Sequence, residues 1–130
     1  MSDQETLALA KRFFDCVEAG DIEGLVACYA PDAKIWHNTD QLEQTPDDNR
    51  KTLAGMVTRI TDRVYDNRRV SVTADGFVQQ HVLRGTRAHD GERLSLPACI
   101  VCQVKDGRIT RLDEYFDSAH VAEFRKFATA

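Results

Sequence analysis

Glu114 is the acid whose neighbours in sequence could most change its chemistry. It lies in Leu94–Asp117 (LSLPACIVCQVKDGRITRLDEYFD), where two β-rich runs flank Asp106-Gly107, a pair that supplies the positive φ angles of a tight hairpin turn. A period of two then sets Leu112, Glu114 and Phe116 on one face and Arg111, Asp113 and Tyr115 on the other. Desolvation between Leu112 and Phe116 raises the pKa of a carboxyl group, and a neighbouring imidazolium lowers it again. A His–Glu pair in that setting holds one shared proton near neutral pH and is suited to general acid–base work. The chain has four histidines. His37 ends the β-prone run Ala33–His37, and His81 alternates with Phe77, Gln79 and Leu83 on one face of another run. His89 and His120 fall in a turn and on a terminal helix, where exposure is expected. Cys99 and Cys102 invite a metal or redox reading, but residues three apart on a strand point to opposite faces and cannot share an ion. They read as core, and no metal site is expected.

Elements that would carry these groups follow from periodicity. Leu9, Phe13, Cys16 and Val17 recur at helical spacing, giving a first helix over Asp3–Ala19 with Gly20 as its C-terminal cap. Asp21 caps a short second helix whose buried stripe is Ile22, Leu25, Val26 and Tyr29, ended by Pro31. After the strand Ala33–His37, Asn38–Gln44 reads as loop. Thr45-Pro46-Asp47-Asp48 is a strong helix start, and Leu53, Met56, Val57, Ile60 and Val64 extend that helix to about Asp62–Val64. The period then changes to two, with strands at Arg68–Ala74, Phe77–Arg87, Arg93–Lys105 and Arg108–Phe116 and turns at Asp75-Gly76 and Asp90-Gly91. A final helix, Ser118–Phe127, turns Val121, Phe124 and Ala128 inward. Helices followed by consecutive antiparallel strands imply an α+β fold, helices packed on one face of a curved sheet. Such a sheet leaves a cone-shaped cavity suited to a small molecule.

The totals bound the function. A chain of 130 residues that is 42% hydrophobic and 29% charged fits one domain (1–130) of ordinary globular composition. Its net charge of −4 and the lack of a basic run argue against a nucleic-acid or anionic-membrane partner. No apolar run approaches the ~20 residues of a membrane span. The polar, acidic start MSDQETLALAKRFF lacks the order of a signal peptide. A cytoplasmic location is expected, with Cys16, Cys28, Cys99 and Cys102 as reduced thiols.

The order of elements, with AGDIEGLVACYAPDAKIWH (Ala19–His37) and DGRITRLDEYFD (Asp106–Asp117), resembles the nuclear transport factor 2-like superfamily. Within it the chain is similar to the SnoaL-like polyketide-cyclase, ketosteroid-isomerase and limonene-epoxide-hydrolase branch. The resemblance covers nearly the whole chain. It implies a cone-like α+β barrel, often a homodimer through the outer face of its sheet. The general-base Asp of ketosteroid isomerases matches His37, and their oxyanion-hole Tyr and Asp match Phe13 and Ile100, so that hole is missing. In the epoxide hydrolases one catalytic Asp matches Glu114, while their Arg and second Asp fall near Gln79 and His81. Polyketide cyclases of this fold pair an acidic residue with a His, which Glu114 could do with His81 or His37.

These matches imply a cavity whose wall holds His37, His81 and Glu114 as catalytic candidates. Phe13, Trp36, Gln79, Ile100, Leu112 and Phe116 are the expected substrate contacts. The function expected is cofactor-independent proton transfer, isomerisation or cyclisation, on a small and largely apolar molecule. A non-catalytic binding or dimerisation module of the same fold is the alternative, since a buried His–carboxylate pair also serves as a structural hydrogen bond.

Overall fold

Helix starts in this chain are written in capping side chains. The computed structural model describes residues 1–128, and α1 (Asp3–Ala19) begins where Ser2 Oγ accepts from Glu5 N. It ends at Gly20, whose φ of 75° closes the last turn. Asp21 caps the short α2 (Ile22–Val26). Thr45 and Asp48 form a reciprocal capping box at α3 (Pro46–Arg59), and Asp117 caps α4 (Ser118–Arg125).

The strands are β1 (Tyr29–His37), β2 (Glu43–Gln44), β3 (Ile60–Val72), β4 (Gly76–Arg87), β5 (Arg93–Lys105) and β6 (Arg108–Phe116). They form one six-stranded sheet in the order β2-β1-β6-β5-β4-β3. All neighbours are antiparallel except β1 and β6, which run parallel. The architecture is the expected α+β one, with helices against one face of a mainly antiparallel sheet. The sheet does not close into a barrel: β2 and β3 are its free edges. Among the described residues no helix is long and apolar enough to cross a membrane.

Several boundaries differ from the sequence reading, each for a local reason. Tyr29 and Pro31 belong to β1, not to the end of α2. Proline cannot donate to a ladder, and the β1–β6 register shifts between Tyr29 and Lys34, around Pro31. The expected loop at 38–44 ends in the two-residue β2. α3 stops at Arg59, and β3 begins at once with Ile60, eight residues before the expected strand at Arg68. Irregularities within β3, with Asp62 and Asn67 at φ 52° and 56°, had hidden its length. The Asp106-Gly107 turn holds both residues at positive φ, as a tight hairpin requires. Gly76 is instead the first residue of β4, and a Cβ there would strike the Cys102 carbonyl.

Two apolar clusters fix the interior. The larger packs Leu9, Phe13, Phe14 and Val17 of α1 against Ile35, Phe77 and other inward strand residues. A smaller one joins Ile60, Leu83, Leu94 and Leu96 to Phe124 of α4. The second cluster borders a cavity, which Leu83, Leu96 and Phe124 help to line.

Candidate functional site

Strand register, more than any loop, assembles the candidate site. His37 of β1 stands opposite Glu114 of β6, Glu114 opposite Ile100 of β5, and Ile100 opposite Gln79 of β4. Phe116, Ala98 and His81 form the adjacent row. Period-two alternation thus brings all seven side chains to the inner face.

His37 Nε2 lies 3.2 Å from Glu114 Oε1, and the two side chains are 16% and 17% exposed. Phe116 stacks on the imidazole at 5.7 Å with the rings 15° from parallel. Burial pushes the His37 pKa down, but the hydrogen bond and charge of Glu114, aided by Asp40, outweigh it and hold the ring above its ordinary value. Asn38, next in the chain, fixes the geometry. Its amide nitrogen donates to Phe116 O and its Oδ1 accepts from Phe116 N, both at 3.0 Å, and its backbone N–H donates to Glu114 O.

A cavity of about 620 Å³ opens beside this pair. His37, Glu114 and Phe116 line one side, with Leu83, Leu96, Tyr65 and Met56 forming apolar walls and α4 covering the far side. Helical and strand periodicity leaves Tyr65 between two elements, so it does not mark the ring as a cavity wall. The β-prone run Ile60–Tyr65 was the signal available. Burial, and next the Glu114 charge, hold its phenol far above the ordinary pKa, so it stays a neutral hydrogen-bond donor.

His81 sits behind Tyr65, ring centroids 4.6 Å apart, and also packs edge-on against Phe14. It is absent from the cavity lining. Burial lowers its pKa to about 4, with Glu114 opposing and Arg68 reinforcing the shift, so the ring is neutral at physiological pH. Gln79 Nε2 lies 2.9 Å from His81 Nδ1. An amide nitrogen only donates, so the neutral ring carries its hydrogen on Nε2. That Nε2 and Gln79 Oε1 are buried without partners among the described residues.

Four expected contacts therefore lie below the cavity rather than on it. Phe13, Ile100 and Leu112 are interior packing, and Gln79 is 1% exposed beneath them. Trp36, the remaining misplaced contact, lies outside the cavity altogether. It alternates with His37, so it projects from the outer face and packs against Tyr115 at 5.3 Å. Cys99 and Cys102 are free thiols of unequal burial on opposite faces of β5.

Comparison with known proteins places this architecture in a family. A family model described as SnoaL-like domain matches residues 10–112. The chain belongs to the SnoaL-like domain family. An uncharacterized protein of Mycobacterium tuberculosis is 29% identical over 127 residues, covering 89% of this chain and 92% of its own. Among solved structures, a candidate polyketide cyclase from Xanthomonas campestris superposes with a TM-score of 0.80 at 19% identity, covering 89% of this chain and 93% of that one. A protein of ketosteroid isomerase-like fold from Catenulispora acidiphila gives a TM-score of 0.78 at 12% identity, covering 88% and 89%. These structural likenesses establish the fold.

Proposed function

We propose that the chain is a cofactor-independent acid–base enzyme, isomerase- or cyclase-like, acting on a small and largely apolar organic molecule. The observation carrying this reading is the His37–Glu114 contact of 3.2 Å on the wall of a 620 Å³ cavity. A hydrogen on Nε2 facing Glu114 leaves Nδ1 as the basic atom of the neutral ring. His37 takes the proton from an activated carbon, Glu114 stabilises the imidazolium that forms, and the proton is returned at a second position. Tyr65 supplies a neutral hydroxyl on the same cavity for the oxygen where charge develops. His81 and Gln79 act from behind Tyr65 as positioning groups. The binding-module reading draws on the same pair, since each side chain already satisfies the other within the wall.

Titration of the histidine ring resonances by NMR, in the parent and in Glu114→Gln, tests the pair. The expected result is a His37 pKa above the ordinary value that drops in the variant. A His37 pKa that ignores the substitution removes the pair from the mechanism and leaves the binding module. We also propose a cytoplasmic homodimer. Support comes from the free thiols and from the outer face, where Val101 is 37% and Tyr115 47% exposed beside an open groove of about 740 Å³.

A further inference from the structure

The cavity beside His37 and Glu114 also holds two arginines that the acid–base reading does not use. Arg59 is the last residue of α3 and Arg125 the last of α4, and both line it. Every other arginine that is at least half-buried has protein acceptors: Arg63 binds backbone carbonyls, Arg68 binds Asp15 and Glu18, and Arg87 binds Asp90. Arg50 and Arg111 are likewise ion-paired. Arg59 makes no ion pair among the described residues, and its Nε is buried without a hydrogen-bond partner. Neither carboxylate on the cavity forms an ion pair with it: Glu114 contacts His37, and Asp40 Oδ1 accepts from the Leu42 N–H. Burial first, and then the nearby Arg125 charge, disfavour the Arg59 cation.

A buried, directional donor on a cation is costly unless an acceptor fills it. We infer that Arg59, assisted by Arg125 at the rim, is the anchor for the carboxylate of an apolar organic acid, which occupies the cavity with its skeleton against Leu83, Leu96 and Phe124. The planar guanidinium fork fits a carboxylate edge-on. The apolar walls beside the guanidinium suit the skeleton of an organic acid rather than a bare inorganic anion. This deepens the acid–base reading by naming a substrate class, and its site depends on that reading only for where the reacting carbon lies.

Its test uses straight-chain carboxylates from butanoate to octanoate and their methyl esters as probes. The readout is the Arg59 Nε–H resonance of the parent protein, assigned by its disappearance in Arg59→Gln. The expected result is a saturable shift with the acids that the esters do not produce. In Arg59→Gln, acid binding followed through backbone amides should weaken about tenfold or more, ester binding should be unchanged, and the melting temperature should hold or rise. Arg125→Gln, an exposed substitution, should weaken acid binding less. Equal shifts by esters, or no saturable shift by any of the acids, overturn the carboxylate anchor. Ester binding alone would still leave a small-molecule pocket standing. Conversely, a His37 pKa indifferent to Glu114→Gln sinks the acid–base chemistry while leaving the anchor intact.

Discussion

If the proposed acid–base role holds, Glu114 acts on His37 in opposite senses for stability and for catalysis. Because the folded His37 pKa is raised above its unfolded value of about 6.5, the pair's stabilisation is fully present below that pH. It is lost as pH rises through the folded pKa. Urea unfolding across this window should show stability declining in the parent and a much flatter profile in Glu114→Gln. Proton abstraction needs the neutral ring, so turnover should climb over the same window. His37→Ala should lower turnover by about 10² to 10⁴ with the circular dichroism spectrum unchanged, and retained turnover would exclude His37 as the base. The Gln79–His81 pair calls for a different outcome. It leaves two buried polar atoms unpaired, so the double variant Gln79→Leu/His81→Phe should be neutral or stabilising toward urea. Its turnover should nevertheless fall, since a larger phenyl ring replaces the imidazole that backs Tyr65. A double variant that unfolds readily would show that the pair has structural partners after all.

At the level of elements, Arg63 joins two helix ends. Its Nε and Nη2 donate to the Val17 and Glu18 carbonyls at 3.0 and 3.1 Å, while Nη1 donates to Val57 O and Ile60 O at 3.1 and 2.6 Å. Those carbonyls lie in or beside the last turns of α1 and α3, where a cation also offsets the helix dipoles. Arg63→Ala should cost about 2 to 3 kcal/mol in urea unfolding, and Lys should not rescue it because one ammonium cannot reach both ends. A loss under about 0.5 kcal/mol would contradict this role. None of this was visible in the chain's periodicity, because Arg63 looked like one polar residue near a helix end. The helix-to-strand change at Arg59–Ile60 has no Gly or Pro to mark it, and Arg59 and Tyr65 were missed with it. Alternation was legible wherever strands ran without irregularity: it put Gln79 and His81 on one face and Glu114 between Leu112 and Phe116. The same rule, applied to Ala33–His37, separates Trp36 from His37. The pleat therefore excludes a pocket that holds both. Which inward residues reach the cavity and which lie under it depends on how α1 and α4 seat against the sheet, and no short-range pattern carries that.

On the scale of the whole molecule, the outer face of the sheet is where two copies would meet. The paired rings of Trp36 and Tyr115, with exposed Val101, offer an apolar surface free of the helices. Sedimentation should find a homodimer that Tyr115→Lys shifts toward monomer by at least tenfold in Kd, as expected when a central aromatic contact is replaced by charge. A monomeric parent at all concentrations would show that this face serves no self-association. The parallel pairing of β1 with β6 has a further consequence, for the order in which the protein folds. His37 and Glu114 stand 77 positions apart in the chain, whereas β3 to β6 are joined in sequence by short hairpins. Closing the long loop costs entropy before any contact repays it, so the hairpins form first and β1 docks late. Substitutions at Ile35 or His37 should therefore speed unfolding and leave the folding rate nearly untouched. The acid–base pair is then a seam sealed at the end of folding, and a ribosome-bound chain cannot form it until β6 has emerged.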